Sequence, residues 1–230
     1  MFKFSNLEQA SLTNSLSVPG YAPASGMQGA WGVFVVATIE HGVVVVPNSQ
    51  IASNGSRFFV DDGPGGMAGQ ITGIFYGLQT TSPATWTGGT IDFFWHDKDA
   101  TYIDGSCVSG STCAPDAAAV GFFTSGTLLV RLKLAGGIDP ADAQVFTKSN
   151  VPIGSLLTSG GFGQFASFAD VDASTTGAWS AALDHDWFMT NAGAHDMRLL
   201  SVVTSQSTWS GKPAGAIGLR SNDPIVVFTR

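Results

Sequence analysis

Short runs of β-branched and aromatic residues, punctuated by Gly, Pro, Asn and Asp, recur along the chain from residue 30 onward. WGVFVVATIE at 31–40 and GVVVV at 42–46 read as buried strands, with Gly42 as a turn or bulge. Asn54-Gly55 is a turn signal before a short strand at 57–60, and DDGPGG at 61–66 breaks the chain. Apolar patterning resumes at 70–78, and a connection follows at 82–89. In TIDFFWHD at 90–97, strict alternation puts Ile91, Phe93 and Trp95 on one face and Asp92, Phe94 and His96 on the other.

TLLVRLKL at 127–134 is the next strand, with Arg131 and Lys133 on its outward side, and Gly136-Gly137 and Asp139-Pro140 stop it. Phe165 and Phe168 break two-residue alternation and so predict a bulge or an edge. Further strands are expected at 187–189, 196–204 and 224–228. Short helical turns fit 139–144 and 155–158, but no segment supports a long amphipathic helix. Residues 1–29 lack a sustained period and predict an extended arm over the domain. Alternating sheets each need an apolar partner face, so residues 30–230 predict one all-β domain: an antiparallel two-sheet sandwich, of which a jelly roll is one form.

Composition adds to this picture in three ways. An apolar fraction of 44%, with 16 Phe and 6 Trp, supplies a packed interior, and 29 Gly suit hairpins and bulges better than helices. Seventeen acidic against ten basic residues, net charge -7, disfavour nucleic acid and anionic membrane as partners. The apolar stretch at 31–47 is broken by Glu40 and His41 and is too short to cross a bilayer.

Cys107 and Cys113, in GSCVSGSTCAP, are expected to close a disulfide worth roughly 2 kcal/mol, which points to an oxidising compartment. Two reduced surface thiols are the alternative. The opening MFKFSNLEQASLTNS is polar and does not read as an export peptide, so the expectation is a mature segment of a secreted or cell-surface chain.

GQITGIFYG from Gly69, TGGTIDFFWHD from Thr87, FASFADVDASTTGAW from Phe165 and SNDPIVVF from Ser221 resemble segments of bacterial exported proteins that carry the PEP-CTERM sorting signal. The resemblance extends over much of residues 58–228. It implies export and a role in extracellular polymer, biofilm or floc material, and it carries no catalytic residues. The Pro-Glu-Pro, hydrophobic span and basic tail of that pattern are not in the sequence, which a trimmed mature domain would explain.

Candidate chemistry is sparse. Asp97, Asp99 and Asp104 in HDKDATYIDG offer oxygen ligands for a structural calcium ion, against the plainer reading of solvated loop acids. The glycine and distal Glu of an EF-hand do not follow them. Asp61-Asp62 reads as a turn, and Asp170 with Asp172 as edge acids. His96 with Asp97, His185 with Asp184 and Asp186, and His195 with Asp196 are only local pairs. There is no G-x-S-x-G elbow or H-E-x-x-H helix, so no enzyme and no required cofactor is expected.

Trp95 belongs to a core face, whereas Trp86 and Trp209, among Thr, Ser and Gly, are the candidate surface platforms for a ligand. The expected function is therefore an extracellular structural protein of a surface layer, matrix or filament, working by self-association. The alternative is a carbohydrate-binding domain whose partner is extracellular polysaccharide.

Overall fold

The computed structural model describes residues 1–43, 52–62, 69–97, 117–156, 162–205 and 215–228. The strands are β1 (Phe2–Ala10), β2 (Ala30–Val43), β3 (Ala52–Val60), β4 (Gln70–Ser82), β5 (Thr85–Thr87), β6 (Thr90–His96), β7 (Thr127–Ala135), β8 (Thr147–Ser149), β9 (Phe162–Val171), β10 (Phe188–Thr190), β11 (Gly193–His195), β12 (Met197–Ser205) and β13 (Ile217–Phe228). Short helices α1 (Ala117–Thr124) and α2 (Ser180–Leu183) accompany them.

The protein is an all-β antiparallel sandwich. Among the described residues its main sheet runs β3-β2-β1-β13-β12-β9-β7-β6-β4-β5-β8, and further pairings β2–β4 and β8–β9 join its layers along both sides. β10 and β11 form a separate hairpin. Across the interior, Phe93 of β6 meets Phe34 of β2 at 4.9 Å between ring centroids and Phe2 and Phe4 of β1 at 6.1 Å. This crossing needs Gly73 on β4: a Cβ there would lie 2.1 Å from Phe34 Cζ and 2.4 Å from the Asp92 carbonyl oxygen.

The expected arm over residues 1–29 is corrected by this topology. Phe2–Ala10 is an interior strand, hydrogen-bonded to β2 on one edge and β13 on the other, so these residues belong to the sandwich and not to an arm. Its even positions alternate inward, but two of them, Asn6 and Glu8, are polar and buried. That interruption hides a strand from a hydrophobicity pattern.

Only the later part of the segment, after Ala10, lies over the sheet. Leu16, Val18 and Ala24 cover Leu7, Trp31, Val33, Ile74 and Phe94 in a second apolar cluster, which also takes Val120 and Phe123 of α1. Asn14 fastens this cover: its Oδ1 accepts from Thr80 N at 2.7 Å and its Nδ2 donates to Thr80 O at 3.2 Å. Both faces of β6 are therefore buried, the Ile91–Phe93 side in the main core and the Phe94 side under the cover.

Asp92, on that covered side, is fully buried. It receives Arg131 Nε and Nη2 at 2.7 and 2.8 Å, Tyr21 Oη at 2.5 Å and Tyr76 Oη at 3.2 Å. Burial and the neighbouring carboxylate push both phenols upward.

One turn signal becomes a bulge inside a strand, and a second strand is irregular. Asn54, Gly55 and Ser56 of β3 stand opposite the single residue His41, with Gly55 at φ +81°, a value that favours glycine. In β13, residues 221–224 stand opposite Ser5 and Asn6, and Pro224 is accommodated in that irregular stretch.

Candidate functional site

The long β2 has a divided outer edge. Ala30–Val35 pairs with β4, whereas Thr38–Val43 pairs with β3. β3 thus stands at one end of the strand order, and among the described residues its far edge has no strand partner. An unpaired strand presents a row of backbone N–H and C=O groups to any complementary strand.

Side chains hold this edge in place. Glu40 of β2 accepts from the Ser53 hydroxyl of β3, and its Oε1 lies 2.9 Å from Lys3 Nζ of β1 and 3.5 Å from Arg57 Nε of β3. The Ser53 and Lys3 hydrogen bonds, in that order, bring the Glu40 carboxyl down to about 2. One carboxylate therefore ties three strands together. Phe59 turns inward toward Trp95, with ring centroids 6.3 Å apart. Phe58 and Val60 turn outward, with 61% and 43% of their surface exposed. His41 flanks Phe58 at 5.1 Å. The outward positions Phe58 and Val60 are apolar and β3 has no Lys or Pro, while Arg57 and the bulge at 54–56 are its edge-blunting features.

The expected ligand residues do not gather here. Trp86 is not a surface platform: it is 1% exposed, packed 5.3 Å from Phe165 inside the sandwich, because β5 turns its central residue inward between flanking threonines. Trp209 lies outside the described residues, as do Cys107 and Cys113 of the expected disulfide and Asp99 and Asp104 of the expected calcium loop. Asp97 is exposed at the end of β6. Among the described residues, no group of three His, Cys, Asp or Glu side chains is placed to hold a metal ion. Asp170 and Asp172 part company, the first facing His195 and the second Lys133 at 3.0 Å.

The histidines also take partners other than their sequence neighbours. His96 Nε2 is 2.7 Å from the Thr72 hydroxyl, which itself donates to the Phe123 carbonyl, so the ring nitrogen supplies the proton of the first bond. Burial holds this imidazole below its ordinary value. His195 Nδ1 faces Asp170 at 3.1 Å and its Nε2 faces Thr190 Oγ1 at 3.1 Å, a hydroxyl–imidazole–carboxylate row.

That row resembles a nucleophile activated by a base, but its surroundings serve structure. The Thr190 hydroxyl donates to the Gly193 carbonyl and accepts from Ala192 N, closing the β10–β11 turn. Gly137 backs onto it so closely that a Cβ there would sit 2.6 Å from Oγ1. Asp196, the sequence neighbour of His195, instead accepts backbone N–H groups of Val171, His185 and Asp186 at 2.8, 2.6 and 2.9 Å.

Among the described residues no helix is long and apolar enough to cross a membrane. Comparison of the chain with protein-family models, with curated proteins and with solved structures finds no match.

Proposed function

We propose that this protein is a non-enzymatic structural component of a secreted or cell-surface material, a layer, matrix or filament, whose subunits join edge to edge through β3. The observation that carries the reading is the far edge of β3, unpaired among the described residues, with Phe58 and Val60 exposed beside it. A second copy of the same strand is its natural occupant. Antiparallel pairing about a two-fold axis matches donors with acceptors on both copies. The only charge on β3, Arg57, is already faced by Glu40 in its own subunit, so no like-charge row opposes the pairing. The register with β2 is irregular at 54–56 and again at Phe58, so Phe59 and Val60, paired with Ile39 and Thr38, are the regular end of the strand.

Placement outside the cell is supported by the close spacing of Cys107 and Cys113 and by the resemblance to exported β-rich proteins. Multi-angle light scattering over a rising concentration series tests the assembly. Wild-type mass should climb, and a Phe58→Lys, Val60→Lys variant should stay monomeric. A wild-type monomer throughout would refute it.

A second reading, polysaccharide binding, is favoured by a depression of about 530 Å³ on the outer face of β8, β9 and β12. Lys148, Asn150, Gln164 and Arg198 line it beside Leu200 and Val202, and its volume is that of a small-molecule site. Glycan-array binding that is lost in Gln164→Ala and Arg198→Ala would establish it; an array without binding would remove it.

A further inference from the structure

The inward face of β1 carries a second, unrelated feature. A cavity of about 80 Å³ lies inside the sandwich, walled by Phe4, Phe34, Phe75, Leu78, Phe165 and other apolar side chains. Five polar side chains also line it: Asn6, Glu8, Thr147, Ser167 and Ser201. Some satisfy one another, with Asn6 Nδ2 donating to Glu8 Oε2 at 3.0 Å and the Thr147 and Ser167 hydroxyls 2.8 Å apart. One lining residue carries a polar group that does not. Trp86 lines the cavity, its side chain is almost wholly buried, and its Nε1 has no hydrogen-bond partner among the described residues. A buried donor without a partner is costly, on the order of 1–3 kcal/mol, and in native proteins it is ordinarily matched by water or ligand.

The chemistry of the walls narrows what fits. A cation would face Glu8 well but could not accept from the Trp86 N–H. An anion could accept from Trp86 but would oppose the Glu8 carboxyl, and among the described residues no cationic side chain pairs with Glu8 to compensate. A cavity of about 150 Å³ holds benzene, so this smaller space suits only a handful of heavy atoms.

We propose that this cavity binds a small neutral amphiphile: a short carbon body with one hydroxyl or carbonyl head. The head accepts from Trp86 Nε1–H, and Glu8 and the neighbouring hydroxyls supply its remaining hydrogen-bond partners. The body packs against Phe34, Leu78 and Phe165.

The probe is 1-butanol, titrated against the full-length chain by ligand-observed NMR. Three proteins are compared: wild type, Trp86→Phe, which keeps an aromatic ring but lacks the donor, and Ala30→Val, which fills the cavity from its wall without touching a polar group. Wild type should show saturable binding. Trp86→Phe should weaken it by about fivefold or more, as expected for one lost hydrogen bond. Ala30→Val should abolish it. Absence of saturable binding to wild type would overturn the proposal, and so would equal affinity in Ala30→Val. A crystal structure at saturating butanol that shows only water in the cavity would overturn it as well. Should Trp86→Phe fail to fold, Ala30→Val alone decides the location.

Discussion

Arg131 grips Asp92 with two parallel hydrogen bonds, Nε to Oδ1 at 2.7 Å and Nη2 to Oδ2 at 2.8 Å, beneath a covering loop that adds the Tyr21 hydroxyl to the same carboxylate. The pair joins β6 to β7 and ties the cover to both. Asp92 is fully buried, so removing its cation leaves an uncompensated charge. Arg131→Ala should cost about 3–5 kcal/mol of unfolding free energy by urea titration, whereas Tyr21→Phe should cost about 1–2 kcal/mol. Equal, small losses from both would show that the guanidinium is not the main support of Asp92.

Glu8 sets a pH dependence in the opposite sense to that of ordinary ion-paired acids. Burial raises its carboxyl from 4.5 to about 7, only partly offset by the Asn6 hydrogen bond. Because the folded-state value lies above the unfolded one, the folded state holds the proton more tightly. This contribution to stability is complete below pH 4.5 and is lost as pH rises through 7, a change on the order of 3 kcal/mol. Glu8→Gln should remove that loss. Urea denaturation of both proteins across this range should show the variant gaining on wild type as pH rises. A constant difference between them would contradict the assignment.

Glycine positions separate crowding from freedom. Gly73→Ala would drive a Cβ into Phe34 and the backbone of β6, and should destabilise the fold by about 3 kcal/mol or more. At Gly121, within α1, an added methyl group would meet no described atom beyond its own helix within 4 Å, so Gly121→Ala should stabilise by about 0.5–1 kcal/mol through helix propensity. Thermal melts of the two variants should move in opposite directions.

Much of the fold was legible because burial follows local alternation. Ile91 and Phe93 point into the main core as their two-residue spacing requires, and the strand at 127–134 matches β7. Three features escaped for separate physical reasons. β1 was hidden because Asn6 and Glu8 occupy inward positions, where they line a polar corner of the interior. Its alternation was present in Phe2 and Phe4 but too short to read. Asn54-Gly55 carries the chemistry of a hairpin turn, yet β2 continues past it as a template, so the same residues bulge within β3. Helix α1, rich in alanine and apolar residues, has little amphipathic contrast because it packs Val120 and Phe123 against the covered face of the sheet.

The candidate site was less legible still. Trp86 stands between threonines, a setting that suits a surface, but its direction is fixed by which face of β5 meets the core. The clamp at Glu40 joins residues 37 positions apart in Lys3 and 13 apart in Ser53, so no local motif announces it.

Hydrogen exchange of the β3 amides, residues 52–60, at low and high protein concentration tests assembly through this edge most directly. Protection of β3 should rise with concentration in wild type and stay flat in Phe58→Lys, Val60→Lys, while β7 in the core exchanges alike in both. β3 exchange that is independent of wild-type concentration would contradict edge-to-edge assembly.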